Sequence, residues 1–304
     1  MSVLDNTSTV LASGVRLTVP LAFAACGEYV AERAGTMNIS VEAMMLGAAF
    51  TSIATASATG SATVGLAVGV VTGLVLGFVH GNLSHRVQIN TFVVGLVLNA
   101  LVLGLTSYLI TINEFVSHQV GMLSIPLLRD IPIIGGPLFA ERWPAFLLLL
   151  LVPLTWWLME RSRWGLELRA VGENPQAADV TGIKVNLRRR QALLWCGALA
   201  GLGGAYLAVG EVGSFNQNMT AGRGYIVIAA VIFGAWRLGR TLLGCLVFGL
   251  SDAMRLALPA LGVTLNAQLL VAAPYLLALL AMLMFTTQHR EPAALGRPFE
   301  RGST

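Results

Sequence analysis

Long apolar runs recur along the whole chain and constrain its fold more than any other feature. They lie near residues 10–30, 39–58, 62–80, 89–112, 143–160, 191–210, 223–236, 240–258 and 266–286. An apolar helix of about 20 residues is long enough to cross a hydrocarbon core about 30 Å thick. Only 11% of the residues are charged, whereas soluble domains contain about 25%. We therefore predict an all-α, polytopic helical membrane protein with about eight to ten transmembrane helices, forming a single domain over residues 1–304.

Two of these runs leave alternatives open. Segment 39–58 contains Glu42, and it either spans the membrane or re-enters it from one side. Segment 223–236 is short and spans the membrane only if its flanking residues are included.

Basic residues favour one orientation. If segment 161–190 is cytoplasmic and nine spans alternate, 14 of the 19 Lys and Arg residues lie on that side, seven of them in this segment. The other side then holds two, Arg129 and Arg142. Since cytoplasmic loops of membrane proteins are enriched in Lys and Arg, we predict that segment 161–190 and the tail 287–304 are cytoplasmic. The N-terminus is then external if segment 39–58 spans. This bias also accounts for the net charge of +4, so we expect no nucleic-acid partner.

Several enzymatic motifs are absent from the sequence. Lys184 is the only lysine, and it does not follow the Gly-x-x-x-x-Gly pattern of a phosphate-binding loop. The sequence contains no His-Glu-x-x-His pair and no Gly-x-Ser-x-Gly motif. We therefore predict that the chain has no catalytic residues, no metal site and no cofactor of its own.

Segment 172–190, GENPQAADVTGIKVNLRRR, is polar in an otherwise apolar chain. Asn174 can cap a helix whose first residue is Pro175, where the missing N–H has no cost. Gly182 can end this helix. The small apolar residues that would form one face of it are Ala177, Ala178 and Val180. The residues alone leave open whether this segment is a solvated basic loop or a surface that binds another protein.

Charged residues inside apolar segments are functional candidates, because a charge at the centre of the bilayer costs roughly 2.5–3.5 kcal/mol. A polar group of four charged residues and one asparagine lies around the first helical turnaround: Glu28, Glu32, Arg33, Asn38 and Glu42. If the helix is continuous, the i,i+4 spacing places Glu28 with Glu32, and Asn38 with Glu42, on one face. The simpler interpretation is a structural network in which Arg33 neutralises the carboxylates, and the alternative is a role in transport.

Five residues are candidates for the solute pathway: Phe92, Asn99, Phe215, Asn216 and Arg223. Asn99 lies in mid-helix, where its amide either binds a hydroxylated ligand or forms an interhelical hydrogen bond. Phe92 could stack on a base or a sugar, or simply face lipid. Segment 210–225 is predicted to be an external hairpin that presents the other three candidates to an incoming solute or its binding protein.

Two blocks carry a more specific pattern. They are GEYVAERAGTMNISVEAMMLGAAF (27–50), and GLELRAVGENPQAADVTGIKV (165–185) with the later GRGYIVIAAVIFGAW (222–236). They resemble permease subunits of ABC importers, in the branch that carries branched-chain amino acids, ribose-type sugars and nucleosides. Within that branch, the nucleoside/simple-sugar group is the most similar. VQINTFVVGLVLNALVLGL (87–105) and SIPLLRDIPIIGGPLF (124–139) follow in the expected order. The chain departs from the pattern at Ala43, usually Gly, and at Arg237–Leu238, where Pro or Asn is commoner.

The resemblance implies a short cytoplasmic coupling helix that docks into a groove on a separate ATPase. The residues it assigns to coupling are Glu173, Asn174, Pro175, Ala177, Ala178 and Gly182. It also implies that ATP-Mg binds to the ATPase, that a second permease (this chain or a paralogue) completes the pathway, and that an extracytoplasmic binding protein delivers the small-molecule substrate. The expected location is the cytoplasmic membrane, with the chain in contact with the lipid bilayer.

Other functions remain open at this stage. The transported solute could be a ribose- or galactose-type sugar or a branched-chain amino acid instead of a nucleoside. An ion-coupled secondary transporter would build its site from broken helices in repeated halves, and no such halves are evident here. A membrane scaffold or an intramembrane enzyme is the remaining alternative.

Overall fold

The computed structural model describes residues 3–124, 140–260, 276 and 291–300. The helices are α1 Val3–Arg33, α2 Val41–Thr59, α3 Ala62–His85, α4 Thr91–Ile112, α5 Leu148–Arg161, α6 Arg163–Glu173, α7 Pro175–Val180, α8 Val185–Ala205, α9 Arg223–Phe233 and α10 Leu238–Ala260. A 3₁₀ turn, Trp143–Leu147, leads into α5, and a π-helical stretch, Tyr206–Val212, extends α8. The strands β1 Met122–Ser124 and β2 Ala140–Arg142 form a short antiparallel pair. The predicted helical membrane fold is confirmed.

Six helical segments of the described chain are long and apolar enough to cross a membrane: Val10–Arg33, Val41–Thr59, Ala62–His85, Thr91–Ile112, Trp143–Arg161 and Val185–Val212. Each overlaps a predicted span. The predicted segment 223–236 forms a shorter apolar helix, α9, and segment 240–258 lies within α10. The predicted span 266–286 and the block 124–139 lie almost entirely outside the described residues, so the total of eight to ten stays a prediction.

Small residues determine how closely the central helices pack. The α8 helix packs against α1, α2 and α3, and α3 presents glycines every four residues to it. A Cβ atom added at Gly73 would lie 2.6 Å from the Cα of Gly201, which is closer than any real contact allows. Because lipid supplies little hydrophobic driving force between helices, the van der Waals contacts made at this close approach contribute to their association.

The two ends of the bundle are distinct. At one end the C-terminal segment 291–300 packs against α6, where the N–H of Ala294 donates to the carbonyl of Gly172 at 2.9 Å. At the other end Arg16 of α1 pairs with Glu141, which precedes α5, at 3.5 Å. Segment 161–190 and the C-terminal segment thus share one end, as predicted. Which side of the membrane this end faces stays a prediction.

Candidate functional site

The chain turns back into the bundle between α1 and α2. The side-chain amide of Asn38 donates to the carboxylate of Glu28 at 3.0 Å, and the hydroxyl of Ser40 lies 2.6 Å from His80 Nδ1. Glu28 lies five residues before the end of α1, and His80 lies five residues before the end of α3. Consequently α2 begins inside the bundle, roughly 8 Å from the end of α3 at 1.5 Å per residue.

The α9 helix begins at the same place. The Glu42 carboxylate accepts hydrogen bonds from the Thr220 hydroxyl at 2.6 Å and from the backbone N–H groups of Gly222 at 2.9 Å and Gly224 at 2.6 Å. The carboxylate therefore satisfies N–H groups at the start of α9, where the helix dipole favours a negative charge. The α9 helix has 11 residues, so it extends roughly 16 Å, about half of the hydrocarbon core.

Asn99 of α4 ties the two helix starts together. Its Oδ1 accepts from the N–H of Ala43 at 2.9 Å, and its Nδ2 donates to the carbonyl of Ile39 at 3.0 Å and to Tyr225 Oη at 2.9 Å. The interhelical alternative for Asn99 is thus the observed one. We call this meeting point the junction, and its members are Glu42, Asn99, Thr220, Gly222, Gly224 and Tyr225.

Tyr225 is the member of the junction that faces outward. Its side chain is 45% exposed, and its oxygen already accepts from Asn99. Within the described residues its O–H proton has no acceptor, so it is free to donate to a solute. Phe92 and Leu96 are also exposed, and their spacing to Asn99 places all three on one face of α4. An aromatic ring, a hydroxyl donor and an amide therefore line one accessible face.

The other three pathway candidates lie elsewhere. Phe215 is only 6% exposed and packs edge-on against Phe50, with ring centroids 5.2 Å apart. It is a core residue, and its prediction as a solute contact is wrong. Asn216 is exposed in the turn that follows. The Arg223 guanidinium pairs with Asp252 at 3.3 Å and lines a cavity of about 270 Å³, which Thr220 of the junction also lines.

The predicted external hairpin 210–225 is also wrong in its second half. Thr220 is fully buried, because this part of the chain descends into the bundle to reach Glu42. No local pattern predicts the burial of Thr220, since the carboxylate that it contacts is 178 residues away.

The polar group of five residues does not form the single network that was predicted. Glu28 bonds to Asn38 and accepts from the Cys196 thiol at 3.3 Å, whereas Glu32 accepts from the Trp236 indole N–H at 2.6 Å. Arg33 makes no ion pair with either carboxylate or with any other described acid. Asn38 precedes α2, so it shares no helix face with Glu42. Separate hydrogen bonds to neutral donors, rather than one arginine, hold these carboxylates, and Glu32 Oε1 has no hydrogen-bond partner within the described residues.

Two histidines of α3 belong to the same buried region and were missed. His80 Nε2 lies 2.8 Å from the Thr91 hydroxyl, and His85 Nε2 lies 2.9 Å from that of Thr36. The available signal was an imidazole within an apolar run, which is as unusual as a carboxylate there. In the described ranges, no group of three His, Cys, Asp or Glu side chains is arranged so that it could hold a metal ion. The structure therefore does not assign metal binding to these two histidines.

Segment 161–190 is largely helical rather than an open loop, and α7 has the predicted local structure. Asn174 Oδ1 accepts from the N–H of Ala177 at 3.0 Å, and Pro175 is the first helical residue. Gly182 follows the helix with a φ of 90°, a left-handed conformation that favours glycine. The capped helix is confirmed, and its docking role stays a prediction.

The orientation of α7 corrects two of its predicted contacts, since Pro175 and Ala178 are both buried. Ala178 is buried against Val171, Val185 and Phe299, so it holds the helix to the permease and offers nothing to a partner. Val180 is 88% exposed, and its neighbours on the outside are also accessible. We call this exposed surface the α7 face: Ala177, Val180, Thr181 and Gly182. Glu173, just before the helix, is exposed as well.

Comparison with known proteins gives the family. Residues 10–287 match the family described as branched-chain amino acid transport system / permease component. The chain belongs to this permease family. The permease is therefore a multi-pass membrane protein and a permease subunit of an ABC transporter. Subunits of this type are not enzymes themselves.

Two relatives match over nearly their whole length. The permease is 32% identical to the nucleoside ABC transporter permease protein NupC of Lactococcus lactis, over 97% of this chain and 98% of that protein. It is 28% identical to the guanosine ABC transporter permease protein NupQ of Bacillus subtilis, over 99% of both. It is also 32% identical to a provisionally assigned glucose ABC transporter permease protein of Haloferax volcanii, over 83% of this chain and 78% of that protein.

Proposed function

We propose that the permease forms the membrane pathway of a nucleoside importer. The observation that carries this proposal is the similarity to a nucleoside permease and a guanosine permease over almost the full length of all three chains. A nucleoside combines an aromatic base with a hydroxylated sugar. Tyr225 offers a ring and an O–H donor on the accessible face beside Asn99, and Phe92 offers a second ring farther along α4. Base–aromatic stacking of this kind contributes roughly 1–3 kcal/mol per base.

The energy for import comes from a separate ATPase subunit that binds ATP-Mg, since this chain lacks a phosphate-binding loop. That subunit docks on the α7 face. To drive transport, its ATP-bound form must bind one conformation of the permease better than the other. The α7 helix packs through Ala178 on Val185, the first residue of α8. Movement of α7 therefore reaches the central helix of the bundle directly.

The complete transporter contains a second permease, either this chain or a paralogue, and an extracytoplasmic solute-binding protein. It lies in the cytoplasmic membrane, with segment 161–190 and the C-terminus in the cytoplasm. The concentration of basic residues at that end supports this orientation.

Uptake by cells tests the solute class. Labelled uridine and guanosine are supplied to cells with and without the permease, in competition with excess ribose, galactose, glucose or leucine. We expect nucleoside uptake that depends on the permease and is unaffected by these competitors. A sugar is the second candidate, because one relative is assigned to glucose, and permease-dependent sugar uptake without nucleoside uptake would replace the first proposal.

A second arm of that experiment tests the energy source. Uptake should continue when an ionophore dissipates the ion gradients and cellular ATP is maintained. It should stop when ATP is depleted. The opposite pattern would indicate an ion-coupled secondary transporter, for which broken helices such as α9 are also typical.

A further inference from the structure

A basic cavity of about 620 Å³ contains no residue of the junction or of the α7 face, although Glu173, which precedes α7, lines it. It is formed where α1, α5 and α6 meet the turn between α9 and α10. Four arginines and two glutamates line it, so its charge is positive. The four arginines are Arg33, Arg169, Arg237 and Arg240.

Most of this positive charge lacks a protein counterion. Arg169 pairs with Glu160 at 2.9 Å. In contrast, Arg33, Arg237 and Arg240 form no ion pair with any acid in the described parts of the chain. The Nε atom of Arg33 is buried and has no hydrogen-bond partner there. A buried guanidinium nitrogen without an acceptor carries a desolvation cost.

The position of the cavity points to the membrane surface. It is lined by the last turns of two candidate spans, Val10–Arg33 and Trp143–Arg161. Trp156 lines it and is 48% exposed. Tryptophan is enriched where a membrane-spanning helix passes the lipid headgroups, so this cavity lies at headgroup level.

One face of α5 connects the cavity to the hydrocarbon region. Leu149, Pro153 and Trp156 are exposed, and with Glu160 they follow the i, i+4, i+7, i+11 spacing of a single helix face. This exposed stripe is apolar until it reaches the cavity. An acyl chain could lie along the stripe while its phosphate sits among the arginines.

We propose that this cavity binds the phosphate headgroup of an anionic phospholipid. The shared chemistry is a phosphate oxyanion held by guanidinium groups, which bind phosphate through paired N–H donors. Basic pockets between membrane helices bind anionic headgroups in this way. The apolar stripe favours a lipid over free phosphate, because free phosphate gains nothing from it. The proposal does not depend on which solute the permease carries.

The test is lipid retention by the purified full-length permease, measured by native mass spectrometry in detergent with equal amounts of phosphatidylglycerol and phosphatidylcholine. We expect phosphatidylglycerol to be retained preferentially. The double variant Arg237→Gln/Arg240→Gln should weaken that retention roughly thirtyfold, because a basic residue near an anionic membrane contributes a factor of about five. Both side chains are exposed, so the variant should melt like the parent.

The matched control is Arg86→Gln/Arg163→Gln, which removes two exposed arginines from the same end of the bundle but outside the cavity. It should retain phosphatidylglycerol as the parent does. A single change, Trp156→Ala, should weaken retention, whereas Trp157→Ala, equally exposed but not lining the cavity, should not.

Three outcomes would overturn the proposal. Equal retention of the two lipids would show that the arginines do not select an anionic headgroup. Displacement of phosphatidylglycerol by excess inorganic phosphate would identify a site for the free ion. Unchanged lipid retention in Arg237→Gln/Arg240→Gln, with loss of the co-purifying ATPase subunit, would show that the cavity is a protein contact.

Discussion

The junction and the α7 face both depend on a short helix capped by a polar side chain, but they differ in what surrounds that helix. At the junction, Glu42 and Asn99 bond to backbone groups at the starts of two helices, α2 and α9, and most of the polar atoms are enclosed. At α7, Asn174 caps its own helix, and Val180 projects outward with almost no contacts.

This difference indicates different tasks. Breaking the hydrogen bonds of Glu42 would release the starts of α2 and α9 from each other, so the junction connects internal helices. The α7 face has its apolar side chains exposed while its cap is already satisfied. The α7 face therefore has the properties of a preorganised binding surface.

The largest effect is expected from Glu42→Ala. This change leaves a buried hydroxyl and two backbone N–H groups without an acceptor, at roughly 1–3 kcal/mol for each. We expect a lower melting temperature in detergent and the loss of most uptake. Glu42→Gln keeps one oxygen acceptor and should recover part of both. Parental stability of Glu42→Ala would show that the junction holds nothing together.

Changes on the α7 face should reduce uptake without reducing stability, unlike Glu42→Ala. Ala177→Asp/Val180→Asp places two charges on an exposed surface, so the melting temperature should stay within a few degrees of the parent. Uptake should fall at least about tenfold, because a desolvated charge in an interface is costly. Val116→Asp, an exposed valine beyond the other end of α4, is the control and should transport normally. Normal uptake by the double variant would remove this face from the coupling mechanism.

Tyr225→Phe tests whether the junction also contacts the solute. The change removes only the O–H, and a single hydrogen bond contributes roughly 0.5–1.5 kcal/mol. We expect the apparent KM for nucleoside to rise about fivefold, with little change in maximal rate. Tyr108→Phe, on an exposed tyrosine of the same helix as Asn99, should have no effect. Equal KM values for both variants would limit the junction to a structural role.

The smallest effect is expected from Asn174→Ala. Loss of an N-cap costs about 1 kcal/mol, and α7 remains attached to the permease through Ala178. Uptake should fall about twofold to threefold, and Asn174→Asp, which keeps a capping oxygen, should restore it. A loss as large as that of the double aspartate variant would mean that Asn174 itself contacts the partner.

The sequence predicted the six described candidate spans and the capped α7 correctly, since both depend on local patterns. Apolar runs determine spans, and the order Asn174, Pro175, Gly182 determines where a helix starts and ends. Burial of Ala178 could not be predicted in the same way, because it depends on Phe299, which is distant in sequence.

The junction was harder to predict because its contacts also join residues that are distant in sequence. Glu42 was recognised as unusual, but its partners lie in a segment about 180 residues away, at Thr220, Gly222 and Gly224. Phe215 was chosen for its place in a supposed external hairpin and instead packs on Phe50. Tyr225 lies within the family-like segment 222–236, but nothing local distinguishes it from a lipid-facing aromatic residue.

Thiol cross-linking from the α7 face tests the central claim, that a separate ATPase docks there. The three native cysteines are free and buried, so Val180→Cys adds an exposed thiol to a part of the chain that otherwise has none in the described residues. A thiol-to-amine cross-linker is applied to membranes that contain the assembled transporter. We predict a covalent adduct between the permease and the ATPase subunit for Val180→Cys, and none for Val116→Cys. Equal adduct formation by both variants, or none by Val180→Cys while uptake is intact, would contradict the account.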